Sequence, residues 1–151
     1  MTIRNIKLIE GLMSPEVIER LEQGAMMHLR HNRIGFKVLD FDPNQVTVQV
    51  VQSKSPLEKY FSNKELSDIA KKLFKEFLPG MDIRSRPVEY VPPSVEHVTP
   101  EWIQQKLKER GLTQVKLVEE TGIDKTNLSA WIAGNRPMSQ PVKAMFWYML
   151  R

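Results

Sequence analysis

Residues 113–131, TQVKLVEETGIDKTNLSAW, read as two short helices joined by a tight turn. Thr113 is placed to cap the first helix, because its hydroxyl can accept from an unpaired amide of the first turn. Val115, Leu117 and Val118 are expected on its buried side. Gly122 stands where a left-handed residue ends a helix without a Cβ clash. Ile123 is the apolar plug of the turn. Asp124 can cap the second helix, and its charge suits the positive helix end. Leu128 and Trp131 or Ile132 fall at helical spacing on the inner face. Gly134 ends that helix, and Asn135-Arg136-Pro137 leads away from it. Such a pair is either an ordinary helical hairpin in a core or a reader of double-stranded DNA. The residues along the outer side of the second helix, Lys125, Thr126, Ser129 and Ala130, are small or polar. They would let it enter a major groove roughly 12 Å wide.

Several landmarks agree in spacing: Gln114, Leu117, Gly122-Ile123, Leu128, Ala133-Gly134 and Arg136-Pro137. Together they resemble the helix-turn-helix of the phage-repressor-like (Xre/Cro-type) family. The resemblance spans residues 99–151 and says nothing of the chain before them. It implies that Gln114 donates to a phosphate or base and that Lys125, Thr126 and Ala130 face base edges. Lysine can donate to guanine O6 or N7, and threonine and alanine methyls can touch a thymine methyl. Asn127 and Ser129 would then sit at the groove wall, with Lys116, Asn135 and Arg136 near phosphates. The family usually has a fifth helix that helps dimer contacts. Here only four are expected, near residues 100–110, 114–121, 125–133 and 140–150. A homodimer is therefore expected to form through the N-terminal part.

Upstream, the pattern changes. Ser14-Pro15-Glu16 is a helix opening, with a cap, a proline at the first helical position and an acid near the positive end. Ile18, Leu21, Ala25 and Leu29 continue that helix to about His31, although Gly24 weakens it by about 1 kcal/mol relative to alanine. Residues 1–13 fit a strand and a helix equally poorly. From Ile34 the apolar period becomes two, and Asp42-Pro43-Asn44 is a turn between two alternating runs, so residues 34–51 read as a β-hairpin. Ser62-Asn63-Lys64-Glu65 is a capping box. The helix after it carries Leu66, Ile69, Ala70, Leu73, Phe74 and Phe77 on one face. Residues 82–90 read as a third strand, and Pro87, which lacks an amide proton, places that strand at an edge or ends it nearby. Arg84 and Arg86 share one face of it, as edge-protecting charges or contacts for an acidic partner.

The expected class is α+β. A small N-terminal α+β sandwich (helix, β-hairpin, helix, strand) over residues 1–91 would serve dimerisation or partner binding. A Pro-rich linker over residues 92–98 would lead to an all-α four-helix helix-turn-helix domain over residues 99–151.

Composition narrows the function. The 151 residues carry a net charge of +4. From Val98 onward eight Lys+Arg stand against five Asp+Glu, whereas the preceding residues have fourteen against thirteen, so most of the surplus lies with the proposed reading head. No apolar run approaches the roughly 20 residues of a membrane span, and the N-terminus lacks the marks of a signal peptide. The absence of cysteine removes thiolate chemistry and agrees with a cytoplasmic protein. His28 and His31 are three apart, but His97 is the only other imidazole and no H-E-x-x-H pattern occurs. No Gly-rich phosphate loop and no nucleophile–base arrangement is found. Neither a metal, a cofactor nor an enzymatic activity is expected.

The leading expectation is a sequence-specific double-stranded DNA-binding protein, a bacterial or phage-type transcriptional regulator acting as a homodimer. One alternative is an antitoxin whose N-terminal domain masks a toxin. Another is an RNA-binding or protein-interaction module with a vestigial helix-turn-helix. The N-terminal element order is like that of KH-type RNA-binding domains, but the G-x-x-G loop is missing.

Overall fold

The computed structural model describes all residues from Met1 to Arg151. It is an α+β fold with six α-helices, two 3-10 segments and one three-stranded sheet. The chain divides into two compact units, Met1–Val91 and Pro92–Arg151, each with its own apolar core. No helix is long and apolar enough to cross a membrane.

The N-terminal unit runs α1 (Pro15–Asn32), β1 (Ile34–Asp42), β2 (Gln45–Gln52), α2 (Asn63–Phe77) and β3 (Asp82–Val88). Local chemistry sets most boundaries. Ser14 caps α1 by accepting from the Val17 amide. The capping box of α2 is complete: Ser62 Oγ accepts from Glu65 N at 3.2 Å, and Glu65 accepts from Ser62 N at 2.8 Å. Asp42 Oδ1 accepts from Asn44 N at 2.8 Å, which closes the hairpin turn.

β1 and β2 pair antiparallel, with a register shift between Val38 and Asp40. β3 pairs parallel to β2 in the order β1-β2-β3. A parallel neighbour needs a crossover, and α2 supplies it. Ile34, Phe36, Val38, Val46, Val48, Val50 and Ile83 point to one side and form a single core with Leu21, Ala25, Leu66, Ala70, Leu73 and Phe74 from α1 and α2. The opposite face, with Lys37, Thr47, Gln49 and Val51, is half-exposed.

Residues 1–13 form neither strand nor α-helix. Arg4 is bridged to the outer edge of β1: its amide donates to Phe36 O and its carbonyl accepts from Val38 N, both at 3.0 Å. Asn5 then turns left-handed at φ 59°, and Ile6–Leu12 is a 3-10 segment. Ile3, Ile6 and Ile9 are all buried. A spacing of three stacks side chains along a 3-10 turn, which explains why the pattern suits neither strand nor α-helix. Glu22 of α1 accepts from the Thr2 and Ile3 amides and ties this segment down.

Gly24 is also explained by packing. A Cβ there would lie 2.7 Å from Leu73 Cδ1, so the residue that weakens α1 in isolation lets α2 approach. His28 stands edge-on to Phe36, with ring centroids 5.8 Å apart. Burial, and secondarily the neighbouring His31, holds its imidazole below the ordinary pKa of 6.5. Gln52 is buried and fully engaged. Its Nε2 donates to Asn32 O and Lys59 O at 3.0 and 2.8 Å, and its Oε1 accepts from Phe61 N at 2.9 Å. One amide thus pins the loop between β2 and α2.

The stretch 92–98 is not simply an extended connection. Ser94–His97 is a 3-10 segment, and Val98 is buried in the core of the second unit. The apolar residue that follows the two prolines draws its end of the stretch into that core. The C-terminal unit continues as α3 (Pro100–Arg110), α4 (Gln114–Thr121), α5 (Lys125–Ala133) and α6 (Gln140–Leu150). Ile103, Leu107, Leu117, Leu128, Ile132, Phe146 and Leu150 meet in its interior. Trp147 stacks on Trp102, with ring centroids 5.7 Å apart, while Tyr148 faces solvent.

Candidate nucleic-acid interface

The surface around α5 is fixed from both ends. Thr113 caps α4 through Lys116 N at 3.3 Å, and Asp124 caps α5 through Asn127 N at 3.0 Å. Between them Gly122 takes φ 69°, ending α4. Thr121 Oγ1 donates to Leu117 O and accepts from Ile123 N, so the turn has an internal polar clamp. At the far end Gly134 takes φ 80°, and the Ala130 carbonyl accepts from both Asn135 N and Arg136 N. Gln104 of α3 donates to Ile132 O at 2.7 Å, satisfying one of the last carbonyls of α5. Leu128 and Ile132 bury the inner side of the helix.

The outer side divides into residues already committed to partners and residues that have none. Lys125 and Thr126 are exposed at the first turn of α5 and make no side-chain hydrogen bond or ion pair. Ala130 is half-buried on the same helix. Ser129 Oγ donates to Gln114 Oε1 at 2.9 Å, joining the start of α4 to the middle of α5. With its carbonyl occupied, Gln114 retains two amide protons for another acceptor.

Asn127, expected at a groove wall, is tied within the protein at both ends of its side-chain amide. Its side-chain amide donates to Asp124 and its oxygen accepts from Arg136 Nη1. Arg136 is thereby tied to the first turn of α5. Lys116 is also committed. It lies 3.8 Å from both Glu119 and Glu120, which are one helical turn away on the same surface. Asn135 is exposed beyond the helix end.

Val115 corrects the expected buried face. It is 63% exposed, because Gln114, Leu117, Val118 and Thr121 share the inner arc of α4 and Val115 falls outside it. An apolar side chain therefore stands in water on the helix that precedes α5. The tie between Asn127 and Arg136 escaped the sequence reading, since nothing local signals a contact across nine residues. The same holds for the Gln104 cap and the Ser129–Gln114 bond.

Chemically, this surface offers a compact cluster of donors on a rigid support: one ammonium, one hydroxyl, one guanidinium and one primary amide. It has no arrangement of a nucleophile with a base. Comparison with protein-family models, with curated proteins and with solved structures finds no match.

Proposed function

We propose that the C-terminal unit reads double-stranded DNA by placing α5 in the major groove as the second helix of a helix-turn-helix, and that the protein is a sequence-specific transcriptional regulator of the bacterial or phage type. The observation that carries this reading is the pair of uncommitted side chains, Lys125 and Thr126, that opens α5. Lys125 and Thr126 are exposed and unpaired, while the helix beneath them is capped at both ends and seated on Leu128 and Ile132.

In this reading Lys125 and Thr126 contact base edges and Ala130 permits close approach. Gln114, with its carbonyl anchored by Ser129, directs its amide protons to a phosphate or a base. Arg136 supplies charge to the backbone from its position on Asn127. Two short helices present too few contacts for tight binding alone. A homodimer, with recognition helices about 34 Å apart on one face of the duplex, would supply the rest.

The test is selection from a random duplex library with the full-length protein. An enriched, palindromic sequence is expected, with affinity that falls steeply with salt as counterions are released. Recovery of no preferred duplex, or preference for single-stranded RNA, would overturn the reading.

A further inference from the structure

The N-terminal unit contains a second concentration of positive charge, independent of α5. Arg4, Arg33 and Lys37 line one cavity of about 400 Å3, and no acidic residue lines it. None of the three makes a side-chain ion pair or hydrogen bond. Three like charges around one concavity repel one another, and the low-dielectric walls concentrate their field on the space between them. Both arginines are exposed, so water screens part of this repulsion, and a bound anion would relieve the rest.

The backbone presents these cations deliberately. Arg4 is fixed by its two hydrogen bonds to β1, and the segment that carries it is tied down by Glu22. Arg33 ends α1 in the left-handed region, at φ 55°. Glycine or asparagine usually occupies that position, because other side chains crowd the backbone there. Arg33 is nevertheless locked in place: its amide donates to Leu29 O and its carbonyl accepts from Ser53 N. A strained backbone at a residue that lines a cavity points toward function. Gly35 lines the same cavity, and nothing lies within 4 Å of where its Cβ would be. Packing therefore does not demand a glycine inside β1, where it weakens the strand. Its effect is to leave the cavity open over bare backbone.

We propose that this cavity binds a small phosphate-bearing ligand of nucleotide size, with Arg4, Arg33 and Lys37 on its phosphates. Guanidinium groups match phosphate oxygens two at a time, and an ammonium adds a point charge. Three cations suit a di- or triphosphate better than a single carboxylate. The volume lies in the range of small-molecule sites, roughly 300–1,000 Å3. Thr2, Gln49 and Ser53 add polar groups, and Val51 adds an apolar wall.

The experiment is calorimetric titration of the full-length protein with ATP, inorganic pyrophosphate, adenosine and a short oligodeoxythymidine. ATP and pyrophosphate are expected to bind and adenosine not to. Arg33→Gly removes the charge while relieving the left-handed backbone. It should weaken ATP at least about tenfold, roughly 1.4 kcal/mol, without lowering the melting temperature. Gly35→Val, whose Cβ would meet nothing within 4 Å, should narrow the cavity and weaken ATP to a similar degree. The inference fails if neither ATP nor pyrophosphate binds, or if both variants retain full affinity. It fails too if the oligonucleotide binds where the small phosphates do not. Because α5 and its partners are untouched by these variants, duplex binding reports separately on the reading proposed above.

Discussion

Ser129 Oγ donates to Gln114 Oε1 at 2.9 Å across the turn between α4 and α5, so two helices share one half-buried polar contact. The bond orients an amide that would otherwise rotate freely. Ser129→Ala should weaken binding to the selected duplex by roughly 1 kcal/mol, with little change in thermal stability. Gln114→Ala should cost more, because it removes the proposed contact itself and not only the group that orients it. Fluorescence anisotropy on the two variants decides this. Equal affinity for wild type and Gln114→Ala would remove Gln114 from the interface.

The two exposed lysines near this surface should behave differently. Lys125 has no partner, whereas Lys116 lies 3.8 Å from each of two glutamates. Lys125→Ala and Thr126→Ala are each expected to cut specific affinity by about 1–3 kcal/mol and to relax the preference at one base position. Lys116→Ala should change it little, since its charge is already offset. A larger loss at Lys116 than at Lys125 would show that α5 is not the reading helix.

Gly24→Ala tests close approach against helix propensity. Alanine is favoured by about 1 kcal/mol inside a helix, but its Cβ would stand 2.7 Å from Leu73 Cδ1. Overpacking typically costs 1–3 kcal/mol, so the variant should be less stable, by about 1 kcal/mol, in urea unfolding. A gain in stability would mean that Leu73 moves aside freely.

At Gln52 a near-isosteric change keeps shape and alters chemistry. Gln52→Glu replaces a donor that faces the carbonyls of Asn32 and Lys59 with an acceptor. Leaving buried groups unsatisfied costs about 1–3 kcal/mol each. The near-isosteric variant should therefore destabilise the N-terminal unit at least as much as Gln52→Ala, and should increase protease cleavage within residues 53–61.

His28 gives the molecule a pH dependence of defined sign. Its folded-state pKa is depressed, chiefly by burial, so the unfolded chain takes up a proton first as acid is added. The stability it contributes is present above its ordinary pKa of 6.5 and is lost as pH falls through the folded-state value. His28→Leu should flatten the decline in urea midpoint over that interval. An unchanged slope would place the titration elsewhere.

Features that depend on a few adjacent residues were legible before any coordinates. Ser14, Ser62, Thr113 and Asp124 all cap as their side chains and spacing dictate. The hairpin alternation and the α2 face were equally plain, because burial repeats along one element. What was hidden is non-local. The parallel pairing of β3 with β2, the bridge from Arg4 to β1 and the cavity among Arg4, Arg33 and Lys37 all join separate parts of the chain. No periodicity within a window encodes them. At the candidate interface, the types and spacing of Lys125, Thr126 and Ala130 could be read directly. The prior commitments of Asn127, Arg136 and Lys116 could not.

The bridge at Arg4 also bears on how this protein behaves at high concentration. A bare rim of a sheet is a template on which other chains can grow fibrils. One rim here is occupied by residues from the start of the chain, and the other belongs to a strand interrupted by Pro87. Neither side accepts a foreign strand easily.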